Sequence, residues 1–164
     1  MSRLRITLGL TLLMALSAIG VSAQSLRKAP ELNLKDLRER RIKLSDYQGK
    51  VVLLNFWATW CVPCRTEIPA LVKLQEQYRN QGLRIIGITY PPQTASQVRR
   101  FLTRKRVNYR IGLGAKSTKA LFDESEVLPV TVVIDQRGRV REVIKGILFG
   151  DEFDEKIKPL LLSP

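Results

Sequence analysis

The chain contains no histidine, and cysteine occurs only twice in its 164 residues. Haem attachment through a Cys-x-x-Cys-His motif needs a histidine, so that chemistry is excluded. A structural zinc site takes four ligands, usually two pairs of Cys or His, and this composition does not supply them. We therefore expect neither a cofactor nor a bound metal.

Acidic residues are scarce as well: 15 Asp and Glu stand against 28 Lys and Arg, for a net charge of +13. Basic residues are densest over residues 98–106 (VRRFLTRKR). There Val98, Phe101 and Leu102 mark one face of a helix, and the arginines occupy the others, as on a solvated helix. We expect no nucleic-acid partner, and attraction to anionic lipid or to acidic protein partners stays open.

The N-terminal segment differs in character from the rest of the chain. Two arginines precede an apolar run over residues 6–21, and residues 21–23 (VSA) are small. A basic segment, an apolar segment and a small-residue cleavage site together indicate a secretory signal peptide.

A retained membrane anchor is the alternative for the same segment. Residues 6–23 are 18 long, close to the minimum for a membrane span, so they could also mediate membrane association. In both cases residues 1–23 are a targeting segment and residues 24–164 form one domain. We predict a periplasmic protein, either soluble or anchored to the outer face of the cytoplasmic membrane.

Hydrophobic patterning predicts an α/β domain. Residues 51–56 (VVLLNF) are almost continuously apolar, as in a strand buried on both faces. Alternation predicts a short hairpin ahead of this strand, over residues 29–34 and 41–44. Further strands are predicted at 83–90, 109–113, 130–135 and 139–144, and helices at about 61–78, 95–106, 116–124 and from Asp151, its predicted N-cap, to the end. This order indicates a mixed sheet with helices on both faces.

The two cysteines stand together in residues 57–65 (WATWCVPCR). A structural disulfide across so short a loop would stabilise the domain by only roughly 2 kcal/mol. Cys61 instead falls where the buried strand ends and a helix begins, and the free N–H groups there stabilise a thiolate. Cys64 lies on the same face of the first turn, where it can attack a mixed disulfide. The pattern favours a redox centre, with Trp57 and Trp60 packed around it.

These residues also resemble a known family. The block FWATWCVPCR, preceded by LSDYQGKVVLLN and followed by EIPAL, resembles the TlpA/ResA-like thiol-disulfide oxidoreductases of the thioredoxin superfamily. The resemblance covers about residues 29–162. It implies a thioredoxin-like fold with an N-terminal β-hairpin and a central insertion. It also implies that Cys61 is the nucleophile, that Cys64 is the resolving thiol, and that the two form a redox-active disulfide.

The resemblance places a cis-proline loop at Leu128 and Pro129, facing the disulfide. A trans proline at the start of a strand is the alternative. Together with the residues around the cysteines, this loop gives the predicted contacts for a protein client: Trp60, Val62, Pro63, Leu128 and Pro129.

The sequence departs from the family at several places. Asn55 stands where thioredoxins carry a buried Asp that relays protons, and an amide cannot do this. Glu67, one turn beyond Cys64, is a candidate proton relay; the alternative is an ordinary surface carboxylate, which is favoured near a helix N-terminus. Residues 38–41 (RERR) replace the glycine-bearing turn expected in the hairpin.

The residues between the cysteines bear on the direction of the reaction. Val62 and Pro63 offer no charged or hydrogen-bonding side chain, so the Cys61 thiolate should be less stabilised than in strong oxidants. We therefore predict an enzyme that reduces disulfides of exported client proteins and is recharged by a membrane or periplasmic thiol reductant. The family resemblance implies an apocytochrome c client in cytochrome c maturation.

Other functions stay open. A disulfide-donating oxidase would use the same cysteine pair in the opposite direction. A non-catalytic thioredoxin-like binding or chaperone module would carry the disulfide incidentally. A peroxiredoxin fits less well because, although it shares the opening of this sequence, its single peroxidatic cysteine lies in a different setting.

Overall fold

The computed structural model describes residues 27–162. The predicted signal peptide or anchor, residues 1–23, lies outside this range. Within residues 27–162, no helix is both long enough and apolar enough to cross a membrane.

In the described part of the chain, seven strands form two sheets. A small N-terminal sheet pairs β1 (Asn33–Lys35) with β2 (Arg41–Lys43) in antiparallel register, which confirms the predicted hairpin. The main sheet has the strand order β5-β4-β3-β6-β7. Its parallel half contains β3 (Val51–Trp57), β4 (Leu83–Thr89) and β5 (Arg110–Leu113), and its antiparallel half adds β6 (Val130–Ile134) and β7 (Val140–Lys145). The prediction of a mixed sheet, with parallel and antiparallel strands, is confirmed.

Strand β3 is the centre of the molecule. All seven of its residues are buried, and it pairs with β4 on one side and β6 on the other. This burial explains its nearly continuous apolar sequence, because both faces and both edges of the strand are covered.

Between residues 27 and 162, five α-helical segments connect or flank the strands. They are α1 (Val62–Tyr78), α2 (Ala95–Lys105), α3 (Lys116–Ala120), α4 (Gly150–Glu152) and α5 (Lys158–Leu162). Helix α1 begins within one residue of its predicted start and is followed by a 3-10 turn that ends at Gly82. Helix α3 is shorter than the predicted helix over 116–124. The segment 95–120, inserted between β4 and β6, supplies the central insertion implied by the family resemblance.

The two faces of the sheet are covered by different elements. One face packs against the hairpin, through residues such as Leu32 and Ile42, and against Phe122 directly after α3. The other face packs against α1 and the C-terminal helical segment, through residues such as Leu71, Phe153 and Ile157. The prediction of helices on both faces is confirmed.

The turn of the hairpin lacks glycine and is held by an aspartate. Glu39 adopts the left-handed backbone conformation that glycine favours, with φ 60°. Asp36 Oδ1 accepts hydrogen bonds from the N–H groups of Arg38 at 2.8 Å and Arg40 at 3.0 Å. Arg110 of β5 donates to Asp36 Oδ2 at 3.0 Å. This ion pair fixes the hairpin to the main sheet.

Helix α2 has the predicted two-sided character. Its N-terminus carries a capping box: Thr94 Oγ1 accepts from the Gln97 N–H at 3.2 Å, and Gln97 Oε1 accepts from the Thr94 N–H at 2.8 Å. Val98 and Phe101 are buried, whereas the basic residues of the helix are exposed.

The C-terminal helix differs from the prediction at its start. Phe149, rather than Asp151, is the N-cap residue, and the helix begins at Gly150. A π turn (Phe153–Ile157) separates α4 from α5, and the Lys158 N–H donates to the Phe153 carbonyl five residues back. Pro159, directly after this turn, has no N–H to donate in the regular helical pattern.

Candidate active site

The two cysteines lie where β3 ends and α1 begins. Cys61 is the N-cap residue of α1, and its Sγ accepts a hydrogen bond from the Cys64 N–H at 3.2 Å. The two sulfurs form a disulfide, with an S–S distance of 2.05 Å and a Cα–Cα distance of 5.3 Å. Pro63 falls in the first turn, where its missing N–H breaks no helical hydrogen bond. The predicted position of the pair at a helix N-terminus is confirmed.

The surroundings of the disulfide leave one side accessible. Cys64 is fully buried, and Cys61 retains 5% exposure. Trp60 and Val62, which flank Cys61, are 53% and 60% exposed. A protein partner can therefore reach the Cys61 side of the disulfide across an apolar rim, whereas Cys64 is shielded.

The two tryptophans occupy different environments. Trp57 is buried against Phe101 of α2, with 5.3 Å between ring centroids, and it belongs to the same apolar cluster as both cysteines. Its indole N–H has no hydrogen-bond partner among residues 27–162. Trp60 instead projects toward solvent, so only Trp57 shows the buried packing predicted for the pair.

The predicted cis-proline loop is present beside the cysteines. The Leu128–Pro129 peptide bond is cis, which confirms that prediction. Leu128 is half-buried and packs against the cluster that contains Cys61 and Cys64. The Pro129 carbonyl accepts a hydrogen bond from the Gly146 N–H at 2.8 Å, directly before β6 begins. The structure thus brings all five predicted client-contact residues to one end of the sheet.

Glu67 is buried beneath the cysteine pair and is not a surface residue. Its side chain lies on the same face of α1 as Cys64, one turn away, and the residue is 1% exposed. Asn55 of β3 donates to Glu67 Oε2 at 2.8 Å, and the Leu148 N–H donates to Oε1 at 2.7 Å. The surface alternative for this carboxylate is therefore wrong.

Burial changes the acidity of this carboxyl group. Removal from water raises the pKa of Glu67 to about 7, although the hydrogen bonds from Leu148 and Asn55 act in the opposite direction. The pKa of the Tyr109 hydroxyl is raised as well, mainly by burial and to a lesser extent by the negative charge of Glu67. The site thus contains a carboxyl group that changes protonation near neutral pH.

Two residues of this network were not predicted. Thr131 of β6 accepts from Asn55 Nδ2 at 3.0 Å, so one amide joins β3 to both β6 and α1. Leu148 contributes only a backbone N–H, which leaves no signal in the sequence. Phe149, the next residue in the chain, lies outside the network and is 60% exposed. Among residues 27–162, no group of three or more Cys, His, Asp or Glu is arranged to hold a metal ion.

Sequence comparison identifies related proteins. The sequence pattern of the AhpC/TSA family matches residues 26–143. A thiol-disulfide oxidoreductase ResA from Geobacillus kaustophilus is 34% identical over 134 residues, which cover 80% of this chain and 76% of that protein.

Solved structures give the same result for the fold. The chain superposes on a thiol:disulfide interchange protein of the thioredoxin family from Chlorobium tepidum, with a TM-score of 0.75, 27% identity and coverage of 83% of this chain and 97% of that one. A secreted thiol-disulfide isomerase from Corynebacterium glutamicum gives a TM-score of 0.76 at 25% identity, covering 82% and 86%. The thioredoxin-like fold is thereby confirmed.

The raised pKa of Glu67 predicts a specific pH dependence of stability. In the unfolded chain this carboxyl group has its ordinary pKa of 4.5, against about 7 in the fold. Because the fold favours the protonated form of Glu67, this group contributes in full to the free energy of unfolding below about pH 4.5. The contribution, up to about 3 kcal/mol, is lost as the pH rises through 7. Urea unfolding of the oxidised protein between these pH values measures it. No histidine titrates in this window.

Two variants make the assignment specific. Glu67→Gln should flatten the pH dependence, because the amide does not ionise. Glu76→Gln changes an exposed carboxylate on the same helix and should leave the slope intact. An equal slope in wild type and Glu67→Gln would contradict the assignment.

Proposed function

Because the chain belongs to the AhpC/TSA family and is a thiol-disulfide oxidoreductase of the ResA type, we propose that it reduces disulfides of exported client proteins through Cys61 and Cys64. The observation that carries the proposal is the cysteine pair itself, at the N-terminus of α1 and beside cis-Pro129, with a partly exposed Cys61 and a shielded Cys64. This arrangement lets a partner sulfur approach Cys61 alone.

The reaction proceeds in two exchanges. In the reduced protein the Cys61 thiolate attacks one sulfur of the client disulfide, and the other client sulfur leaves as a thiolate that takes up a proton. Cys64 then loses its proton and attacks Cys61 Sγ, which forms the Cys61–Cys64 disulfide and releases the second client thiol. The client gains two electrons and the two cysteines lose them. A membrane or periplasmic thiol reductant then returns the pair to the dithiol.

Glu67 is proposed as the proton relay for the second exchange. Cys64 is fully buried, so water reaches its thiol poorly, and Glu67 lies one turn away on the same face. A carboxyl group with a pKa near 7 accepts and returns a proton efficiently at neutral pH. Glu67 thus takes over the role of the buried Asp of thioredoxins, whose place Asn55 fills.

The exposed apolar rim is proposed to contact the client. Trp60, Val62 and Pro63 flank Cys61 in solvent, and Leu128 and Pro129 lie across from them next to the start of β6. A client segment between these two groups would present its disulfide to Cys61. The resemblance to the ResA type supports one particular client, the haem-attachment cysteines of an apocytochrome c.

The cysteine roles predict different reactivities. In the reduced protein Cys61 should react with an alkylating agent at neutral pH, and Cys64 should react much more slowly because it is buried. Cys64→Ser should trap a mixed disulfide with the client, and mass spectrometry of the trapped species identifies whether it is an apocytochrome c. Cys61→Ser is the matched control and should trap nothing. Faster alkylation of Cys64 would reverse the assignment.

The direction of the reaction predicts a low reduction potential. Val62 and Pro63 donate no hydrogen bond to Cys61, and the exposed Arg65 side chain is screened by solvent. Thiolate stabilisation then comes mainly from the helix N-terminus, about 0.3–2 kcal/mol, which moves the potential by only tens of millivolts. Equilibration against glutathione buffers should give a value nearer about −270 mV than −120 mV. A potential above about −180 mV would favour the disulfide donor instead, and failure to reduce insulin would favour a binding module.

Export is proposed from residues 1–23. Their basic, apolar and small-residue segments fit a signal peptide cleaved before Gln24, and a structural relative from Corynebacterium glutamicum is a secreted protein. We expect the protein in the periplasm. Intact-mass measurement of the protein recovered from that compartment should show a chain that begins at Gln24. A mass that includes residues 1–23 would show a retained anchor, and recovery from the cytosol alone would refute export.

A further inference from the structure

The basic residues of α2 have no role in the redox chemistry described above. Residues 95–106 contain five basic residues and no acidic one. Among residues 27–162, none of these five takes part in an ion pair, whereas cations elsewhere, such as Arg40, Arg110 and Arg139, pair with Asp36 or Asp135. Five cations without an ion pair thus lie within twelve consecutive residues, with no acidic residue among them.

A cleft of about 380 Å³ lies between this helix and the start of α1. It is lined by Thr59, Arg65, Gln97, Arg100, Phe101 and Arg104. Three of these six residues are arginines from two different elements, and none is acidic. The cleft therefore offers a concave site that favours anions.

The cleft is fixed in place by packing and hydrogen bonds. Phe101 is held against the buried ring of Trp57. The Thr59 N–H donates to Gln93 Oε1 at 3.0 Å, and Gln93 Nε2 donates to the Tyr90 carbonyl at 2.9 Å. These contacts anchor the loop that leads to the disulfide.

The cleft also adjoins the redox centre. Thr59 stands two residues before Cys61, and Arg65 directly follows Cys64 in the first turn of α1. The Arg65 N–H donates to the Cys61 carbonyl at 3.2 Å, so this arginine is attached to the same helical turn as the disulfide. Whatever binds in the cleft lies beside a client segment held at Cys61.

We propose that Arg65, Arg100 and Arg104 form a subsite for acidic side chains that flank the client disulfide. Guanidinium groups bind carboxylates in a planar, two-pronged geometry, and a bound carboxylate relieves the repulsion among three like charges around one cleft. The site thus selects, among protein disulfides, those with Asp or Glu close to the attacked cysteine. This inference rests on the proposed function and specifies its substrate class.

A second arginine-rich cleft nearby does not have this property. It has a volume of about 840 Å³, and Asp36 at its wall already pairs with Arg40 and Arg110. Arg84 and Arg99 in its lining donate to backbone carbonyls. Asp36 thus neutralises part of the positive charge in that cleft, whereas no acidic residue lines the cleft beside the disulfide.

The test uses three synthetic peptides that contain the same intramolecular disulfide, flanked by Asp, Asn or Lys. The readout is the second-order rate constant for their reduction by the reduced protein. At low salt we expect the Asp peptide to react about tenfold faster than the Lys peptide, with the Asn peptide between them. The preference should largely disappear at about 0.5 M salt, where the screening length is about 4 Å.

Charge-reversed variants locate the preference. Arg100→Glu/Arg104→Glu should invert the order of the three peptides. Lys73→Glu/Lys105→Glu makes the same change in net charge at exposed positions outside the cleft, on α1 and α2, and should keep the order. An equal loss of preference in both variants would attribute the effect to net charge and overturn the subsite.

The wild-type series alone can refute the subsite. Equal rates for all three peptides would refute the subsite and leave the proposed function standing. No reduction of any peptide would refute the proposed function. Binding to a membrane surface is a separate outcome, tested by sedimentation of the protein with vesicles of phosphatidylcholine and phosphatidylserine at about three to one. If the cleft variant no longer sediments with these vesicles but keeps the order of the peptide rates, the arginines bind a membrane surface and the subsite is overturned.

Discussion

The buried carboxyl group of Glu67 is the constraint on which the geometry of the redox end depends. It receives one hydrogen bond from the Asn55 amide in the central strand and one from the Leu148 backbone ahead of the C-terminal helix. A buried carboxylate without such donors would cost several kcal/mol. Since Glu67 lies one turn from Cys64, the two hydrogen bonds to its carboxylate also fix the position of the first turn of α1 against the sheet.

Much of the fold could be predicted from local pattern. The central strand is almost continuously apolar, and α1 repeats apolar residues at Leu71, Leu74 and Tyr78; tertiary packing agrees with both patterns. The start of the C-terminal helix was less predictable, because residue type alone did not identify its N-cap. Asp151 is a favourable N-cap by residue type, yet Phe149 takes that position and the helix starts at Gly150. At Glu39, too, the local preference of the residue type does not decide the conformation. Hydrogen bonds from neighbouring N–H groups to Asp36 hold the left-handed backbone there without a glycine.

The active site was predictable only in part. The spacing of the cysteines and the strand-to-helix junction identified the redox pair and its orientation. The burial of Glu67 was not evident, because a position three residues after Cys64 fits a surface turn and a buried face equally well. The burial of Glu67 depends on the backbone N–H of Leu148, 81 residues away, which donates to its carboxylate. A backbone donor cannot be recognised from the sequence. The acidic-client cleft depends on the same kind of distant contact, between α1 and α2.

The two borders of the main sheet have a consequence for how other chains can associate with this protein. Strand β5, at one border, meets the hairpin through a bridge between Asp36 and Gly112. Strand β7, at the other, exposes the charged residues Arg141, Glu142 and Lys145, and its pairing with β6 is irregular near Val133. Covered or charged borders discourage the addition of a foreign strand. A passing unfolded polypeptide is thus discouraged from extending the sheet at either border, so encounters with client chains need not end in strand addition.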